Sequence, residues 1–578
     1  MPMELPQTRW EIAAGDSGLE EKLVAALQLR PLGARLLVNR GITTIDQARV
    51  YLKPSLNALH DPFSMHGMSE AVERLTRALL SQESIAIYGD YDVDGITATS
   101  VLTWFFRDIG VPVPYYLPHR MREGYGLNPN AVRHLVAQGT RVLVTVDCGI
   151  TGHEEIRLAK TLGMDVIVTD HHQVPPVIPQ AAAILNPNQP GCAYPTKELA
   201  GVGIAFKLVT ALRSRLRQEP YWRDKAPNLR RHLDLVALGT IADIAPLADE
   251  NRILVSHGLR ELSRSEKAGV RALKEVAGIE GEIGPRHVGF MLAPRLNAAG
   301  RLTAAQAGVE LLVSDDAGRA GELARYLDGV NRERQAVQAQ IYQEAKAAIQ
   351  ADGGMDDRWA IVLASEHWHP GVVGIVASKL VEEYGRPTIL IGLSGEVGKG
   401  SGRSIAAFHL YRALVACQEH LAGFGGHEHA AGIQIRREQV AAFRDALNRV
   451  ASQQLTALDC GPILAADAEV RLAEIDDGFL DFCEQLEPLG AGNPPPLLLA
   501  RGVEVLGAPT LVGKEQQHLR LTLRQGGESL RAIGFGMADR LGQVKGGPFD
   551  IAFTPQRRFW NDRPERQALL RDLKPHKR

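Results

Sequence analysis

The stretch Ser84-Ile-Ala-Ile-Tyr-Gly-Asp-Tyr-Asp-Val-Asp-Gly95, continued by Ile-Thr-Ala-Thr-Ser100, decides how the chain is read. A short apolar, β-branched run predicts a buried strand, Gly89 breaks it, and Asp90, Asp92 and Asp94 follow at alternate positions. Carboxylates this close repel one another unless a cation sits among them, and hard oxygen ligands suit Mg²⁺ or Mn²⁺. A calcium loop of the EF-hand type shares the D-x-D-x-D-G opening. It needs Glu at its twelfth position, here Val101, and a helix rather than a strand before it, so that reading is rejected. A solvated acidic turn remains the alternative while the stretch is taken alone.

Outward from it the pattern repeats. Thr97-Ala-Thr-Ser-Val-Leu-Thr-Trp-Phe-Phe continues as a helix. Arg141-Val-Leu-Val-Thr-Val-Asp147-Cys-Gly predicts a strand ending in an aspartate, with the helical His153-Glu-Glu-Ile-Arg-Leu-Ala-Lys after it. Asp165-Val-Ile-Val-Thr-Asp170-His171-His172 predicts another strand ending in polar ligands. Alternating strand and helix argues for a parallel sheet, in which ligands collect beyond the carboxyl ends of the strands. Three strand ends delivering metal-type ligands to one edge point to a site rather than to coincidence. The apolar segment Leu233–Asp243 would bring in one more carboxylate, although Asp243 alone also reads as a buried helix cap.

At 578 residues the chain is long enough for roughly three or four domains. Its 45% apolar and 23% charged content is that of a globular protein, and a net charge of −2 confines any nucleic-acid surface to a local patch. The five cysteines, at 148, 192, 417, 460 and 483, make no C-x-x-C pair, which disfavours a zinc ribbon or a disulfide scaffold. No run of about 18 apolar residues and no charged-then-apolar leader occurs, so an intracellular, cytoplasmic protein with no membrane partner is expected.

Residues 1–60 predict a small helical preface. Lys207 reads as a surface residue on a helix, with a phosphate contact as the lesser reading. Arg295 and Arg301 flank a glycine-bounded loop and fit either phosphate binding or salt bridging. A single long helix is predicted from Asp315 to about Ala351, capped by Asp315 and Asp316 and ending in glycines, as an interdomain connector beside a cleft. Trp359-Ala-Ile-Val-Leu-Ala and Thr388-Ile-Leu-Ile predict strands of a second α/β domain. Gly400-Ser401-Gly402-Arg403-Ser404 and Gly423-Phe-Gly-Gly426-His427-Glu-His429 are expected as glycine-rich loops that clamp a phosphorylated substrate through amides and arginine. Beyond about residue 460, short strands around Val503, Leu519, Leu530 and Phe549 are spaced as in a small barrel. The last 28 residues hold eight Lys/Arg against three Asp/Glu, with Phe559 and Trp560 among them. That mixture suits a single strand, or else is a solvated tail.

Taken in order, Gly-Asp90-Tyr-Asp92-Val-Asp94-Gly, Val-Asp147-Cys-Gly, Asp170-His171-His172 and Asp243 resemble the four motifs of the DHH phosphoesterase superfamily. Gly-Ser401-Gly-Arg403-Ser and Gly-Gly-His427-Glu-His-Ala-Ala-Gly resemble its DHH-associated domain. With the barrel and Leu486-Glu-Pro-Leu-Gly-Ala-Gly-Asn-Pro-Pro-Pro, the arrangement resembles the bacterial RecJ family of single-strand-specific 5′→3′ exonucleases over about residues 80–570.

The resemblance implies an α/β fold. It comprises a helical segment at 1–60, a parallel-sheet DHH domain at 61–312, a connecting helix at 313–352, a DHH-associated α/β domain at 353–460 and an OB-like barrel at 461–578. It implies two divalent ions, Mn²⁺ or Mg²⁺, with Asp90, Asp92, Asp94, Asp147, His171 and Asp243 as ligands and Asp147 bridging. His172, Asp147 and Asp170 would be catalytic, with His172 facing the scissile phosphate. Arg120, Arg295, Ser401, Arg403, Ser404, Gly426 and His427 would bind substrate, several of them at a 5′-phosphate. Many relatives carry a histidine where this chain has Tyr88, so Asp90 is expected to replace it as a ligand or as its support. Hydrolysis of single-stranded DNA from its 5′ end to 5′-mononucleotides by a monomer, in recombination and repair, is the implied activity. A single-strand-binding protein and a helicase are the implied partners. The rival within the superfamily is a phosphodiesterase for short oligonucleotides or cyclic dinucleotides, which would need no barrel.

Overall fold

A computed structural model describes residues 8–576 apart from 121, 356, 561 and 562, with the backbone alone at 559, 560 and 563. The chain divides into two compact units, one of residues 12–330 with 466–578 and one of 331–465 with the residues before 12. The first strand, β1 (Arg9–Ile12), pairs with Ile463–Ala466 (β12).

The larger unit begins with α1 (Ser17–Leu27), α2 (Pro31–Asn39) and α3 (Ile45–Leu52). Each starts where the sequence supplies a stop for orphan amides: Asp16 caps α1, Pro31 opens α2, and Thr44 with Gln47 forms a capping box on α3. Leu23, Leu36, Leu37 and Tyr51 are buried in one apolar core with Phe479, Leu498, Leu519 and Phe549 of the barrel. The expected preface is therefore part of the barrel's core.

The central sheet follows. After α4 (Met68–Leu80) come β2 (Ile85–Gly89), α5 (Val93–Asp108), β3 (Tyr115–Tyr116), α6 (Pro129–Ala137), β4 (Val142–Val146), α7 (His153–Thr161), β5 (Asp165–Thr169) and β6 (Ala183–Leu185). The five strands are parallel in the order β3-β2-β4-β5-β6. Apolar side chains alternate between its two faces, as a strand's period of two requires. Ile85, Ile87, Val142 and Val144 pack with Phe105, while Ala86, Tyr88, Leu143 and Val166 pack with Leu135 and Ile156. Each such buried aliphatic side chain contributes about 1.5–3 kcal/mol.

The register sets Gly89 beside Val146 and Val146 beside Thr169, so the residues after β2, β4 and β5 emerge together. Gly89 must be glycine, since a Cβ there would lie 2.1 Å from Thr99 Oγ1 of the helix crossing behind it. Helices α8 (Gly201–Leu216), α9 (Leu233–Ala242) and α10 (Asp249–Arg264) come next, and a π-helical turn at Val288–Leu292 leads into α11 (Ala293–Leu302).

Lys207, expected at the surface, is only 2% exposed. Its Nζ lies 2.6 Å from Glu250 Oε1 and donates to the carbonyl of His60 at 2.7 Å, because a buried ammonium needs a counter-charge and acceptors. The long helix α12 spans Ala317–Ala351, with Asp316 capping it through the Arg319 amide at 2.7 Å.

In the smaller unit β7 (Ile361–Ser365), α13 (Val373–Tyr384), β8 (Thr388–Ser394), β9 (Val397–Arg403), α14 (Leu410–Ala416), β10 (Gly423–Gly426), β11 (Ala430–Arg436) and α15 (Val440–Gln454) form a mixed sheet in the order β10-β11-β9-β8-β7. The two glycine-rich segments expected as loops are thus largely strands. Gly398, Gly400 and Gly402 occupy alternate positions of β9, where a Cβ would come within 2.9 Å of Ile391, Ile433 and Leu410 side chains. Glycine here permits close sheet packing, and the intervening Lys399, Ser401 and Arg403 share the opposite face.

Beyond it, β13 (Ala468–Glu469), α16 (Asp477–Gln485), β14 (Leu498–Val505), β15 (Thr510–Val512), β16 (His518–Gln525), β17 (Glu528–Gly534), β18 (Phe549–Trp560) and β19 (Arg563–Pro575) complete the larger unit. The ring β14-β18-β19-β17-β16 closes through Glu504 opposite Arg524 and Val505 opposite Leu523, a five-stranded barrel. The basic segment read as a possible tail is its last hairpin. The Phe559 and Trp560 side chains lie outside the described residues.

Candidate metal centre and phosphate cradle

The acidic stretch leaves β2 and turns directly into α5. Asp92 is the N-cap, its Oδ1 accepting the Gly95 amide at 3.1 Å. Asp94, in the first turn, is 1% exposed and accepts two amides from the start of α8, Gly201 at 2.6 Å and Val202 at 2.8 Å. Helix N-termini favour negative charge, so α8 helps to hold this carboxylate inside the protein. Asp147 follows β4 with φ of +61°, a left-handed conformation that a non-glycine residue adopts at a cost. Asp243 ends α9.

Three triads each bring ligand atoms within 4.8 Å of one another: Asp90–Asp92–Asp147, Asp94–His171–Asp243 and Asp147–His171–His172. His171 Nε2 lies 3.1 Å from Asp147 Oδ1 and 3.7 Å from Asp94 Oδ2, and its Nδ1 lies 3.9 Å from Asp243 Oδ2. Asp90 Oδ1, Asp147 Oδ1 and His171 Nε2 are buried without a hydrogen-bond partner. Orphaned buried donors and acceptors are costly unless something occupies the point on which they converge. Oxygen and imidazole ligands of this kind fit Mn²⁺ or Mg²⁺, and the Cys148 thiol is directed to the Tyr88 carbonyl instead.

The electrostatics agree. Burial, then the neighbouring carboxylates, raises Asp90 and Asp147 well above the usual carboxylate range, Asp94 to about 7 and Asp243 to about 8. Burial and the nearby His172 lower His171 to about 4. Anions destabilised by one another and a neutral imidazole are what a cation would be bound by.

Asp170 has another place. Its Oδ2 accepts the Ile150 amide at 2.9 Å, and its Oδ1 accepts the His172 amide at 3.0 Å and His172 Nδ1 at 2.7 Å. Burial opposes its charge, but these hydrogen bonds hold its pKa below the usual range. Burial likewise disfavours the His172 cation, yet the bond to Asp170 outweighs it and raises His172 to about 9. Tyr125, which the sequence did not single out, sets its hydroxyl 3.0 Å from His172 Nδ1. Tyr88 turns away from the cluster, donating to the Gly126 carbonyl at 2.9 Å, while Asp90 takes part in it.

Arg120 stacks its guanidinium over Tyr91, 4.9 Å from the ring centre. Arg295 is engaged by Asp328 at 2.9 Å, the salt-bridge alternative of the two readings of its loop.

In the smaller unit, Arg403 Nη1 donates to Ser401 Oγ at 2.9 Å and to the Gly402 carbonyl at 2.7 Å. A Cβ on Gly374, in the first turn of α13, would lie 2.8 Å from Ser401 Oγ and 3.2 Å from Arg403 Nη2. The start of α13 carries no side-chain cap, although the Val373 and Ile375 amides already donate to the carbonyls of His369 and Val372, so it is the serine and the arginine, beside the Gly374 backbone, that make one small region suited to an anion. Ser404 is built into the fold, its amide donating to the His429 carbonyl at 3.0 Å and its hydroxyl to the Phe408 carbonyl at 2.7 Å. Gly426 has φ of +144°, and the His427 amide closes the following turn on the Ala430 carbonyl at 2.9 Å.

Similarity to known proteins runs along most of the chain. Residues 84–240 match the DHH family, N-terminal domain, 357–453 the DHHA1 domain and 466–572 the RecJ OB domain. The single-stranded-DNA-specific exonuclease RecJ of Bacillus subtilis is 41% identical over 568 residues, 98% of this chain and 70% of that protein. The crystal structure of RecJ with Mn²⁺ from Thermus thermophilus superposes with a TM-score of 0.82 at 30% identity, over 99% of this chain and 80% of that one. The Mg²⁺ complex gives 0.75 at 29%, over 99% and 79%. On a likeness of this degree over 98% of the chain, with all three domain types in order, the chain belongs to the RecJ family of single-stranded-DNA-specific exonucleases.

Proposed function

We propose that this protein is a 5′→3′ exonuclease that hydrolyses single-stranded DNA to 5′-mononucleotides at a site holding two divalent cations, Mn²⁺ or Mg²⁺. The observation that carries the reading is the convergence of Asp90, Asp92, Asp94, Asp147, His171 and Asp243, with three of their buried ligand atoms making no hydrogen bond. Asp147 shares one triad with Asp90 and Asp92 and another with His171 and His172, a link between the carboxylate and the histidine sides that supports it as the ligand common to both ions. Bound divalent ions would acidify a water and neutralise charge on the scissile phosphate.

The chain's own residues do the rest. Asp170 fixes the ring of His172, which keeps a partly exposed edge to donate to a phosphate oxygen. Tyr125 restrains the same ring. Asp94, anchored by α8, keeps the cluster's inner wall rigid. In the smaller unit, Ser401 and Arg403, beside the start of α13, would take the 5′-phosphate. A cradle for a terminal phosphate would select 5′ ends over internal phosphodiesters, which supports the 5′→3′ polarity of this reading. The five-stranded barrel supplies a surface that a dinucleotide hydrolase would not need. Action on DNA in the cytoplasm, as a monomer with a single-strand-binding protein and a helicase, belongs to the same reading.

The test is a timed digest of 5′- and 3′-labelled single strands and matched duplexes with Mn²⁺ or Mg²⁺. Early release of labelled mononucleotide from the 5′-labelled single strand alone is expected. Release first from the 3′ label, or equal attack on duplex, would refute the proposal.

A further inference from the structure

Asp243 ends α9, and the residue after it has no evident structural reason to be what it is. Ile244 has φ of +62° and is 74% exposed. Its amide donates to the Ile241 carbonyl at 3.2 Å and the Ala245 amide to the Thr240 carbonyl at 3.2 Å, a helix exit through the left-handed region. Glycine or asparagine ordinarily fills that position, because a Cβ crowds the following carbonyl there, and a β-branched side chain is the least tolerated. Among the described residues, the other non-glycine positions with positive φ are Gln28, Gln82, Asp147, Asp249, Asp357 and Gln516, all polar. Burial does not compensate at Ile244, and a hydrocarbon side chain cannot hydrogen-bond to its own turn. Strain held without a packing return, one residue from a carboxylate of the metal cluster, calls for a ligand.

We propose that Ile244 is a substrate-contacting residue whose side chain packs against a nucleobase of the strand held at the metal cluster; this rests on the exonuclease reading above. The partner follows from chemistry. A branched hydrocarbon gains nothing from a phosphate, whereas a single strand brings unpaired base faces whose apolar surface is open to contact. Asp243 and Ile244 would then divide one nucleotide between them, the carboxylate serving the phosphate's cation and the isoleucine the base.

The test compares Ile244→Ala, Ile244→Gly and Ile244→Val with the parent on two oligonucleotides, one intact and one with abasic 5′-terminal positions. If the isoleucine meets a base, Ile244→Ala and Ile244→Gly should each lose roughly tenfold or more in kcat/KM on the intact strand, the range expected for burying one aliphatic side chain. Their preference for the intact over the abasic strand should shrink, and Ile244→Val should keep most of both. Thermal unfolding of Ile244→Gly should come at or above the parent's temperature, since glycine removes the strain, and Mn²⁺ binding should be unchanged. Equal losses on both strands, or none, would overturn the proposal, as would an Ile244→Gly protein that unfolds below the parent. A parent inactive on the intact strand would instead overturn the exonuclease reading itself.

Discussion

The backbone amide of Gly201 donates to Asp94 Oδ2 at 2.6 Å, so the first residue of a helix more than 100 positions downstream holds the innermost carboxylate of the metal cluster. The approach leaves no room for a side chain. A Cβ on Gly201 would lie 2.9 Å from both Asp94 Oδ2 and Asp147 Cβ. Gly201→Ala is expected to keep the fold by circular dichroism and to lose about 10²-fold in turnover, the scale of a displaced reacting group. Weaker Mn²⁺ binding should accompany the loss. Normal turnover in this variant would dissociate Asp94 from the site.

Asp147→Ala should reduce cleavage to background while leaving strand binding nearly intact, because the barrel and the phosphate cradle do not depend on that carboxylate. Fluorescence anisotropy with a labelled strand, beside a digest in excess Mn²⁺, separates the two properties. Substantial turnover would remove Asp147 from its role as the common ligand.

Arg403→Ala should abolish the preference for a 5′-phosphorylated over a 5′-hydroxyl strand, at a cost of roughly 10- to 150-fold on the former, the value of one charge-assisted bond to phosphate. Activity on the hydroxyl strand should change little. Equal losses on the two strands would make Arg403 a structural residue, and Arg120 the next position to test.

Arg252 is buried where the N-terminal helices meet the loop before the barrel. Its guanidinium donates to the carbonyls of Tyr51, Gln485, Leu486, Glu487 and Pro488 and stacks 3.8 Å from the Tyr51 ring centre. Arg252→Ala would leave these acceptors without their donor, and a loss of roughly 3–5 kcal/mol is expected in urea unfolding, on the scale of breaking a buried charged network. A shift under 1 kcal/mol, on the order of a surface change, would contradict the clasp.

Asp550 predicts an acid-sensitive barrel. Burial opposes its charge, but the Gly502 amide, Arg501 and His576 together hold its pKa below the usual value. A depressed folded-state pKa means the carboxylate's stabilisation is present in full above the unfolded pKa and is lost as pH falls through the folded one. Asp550→Asn should therefore be less stable than the parent at neutral pH and converge with it in acid. A constant difference at every pH would exclude the linkage.

The strand-ending aspartates were legible in the linear chain because a parallel sheet makes its carboxyl edge from local patterns: apolar run, glycine, acid. The order of the motifs carried the family for the same reason, and the strand spacing beyond residue 460 carried the barrel. Tertiary structure alone decided which polar groups were spare. Asp170 and Asp147 look alike in sequence, yet Asp170 spends its oxygens on hydrogen bonds with Ile150 and His172 while Asp147 keeps one that makes no hydrogen bond. Lys207 read as a surface cation, and Arg295 fitted phosphate binding and salt bridging alike, because their counter-charges Glu250 and Asp328 lie far along the chain. The glycines of β9 read as a loop because their reason, close contact with Ile391 and Ile433, lies on other strands. Local pattern determines elements and their ends. Whether a side chain is free to bind a ligand depends on partners that only the folded chain brings within reach.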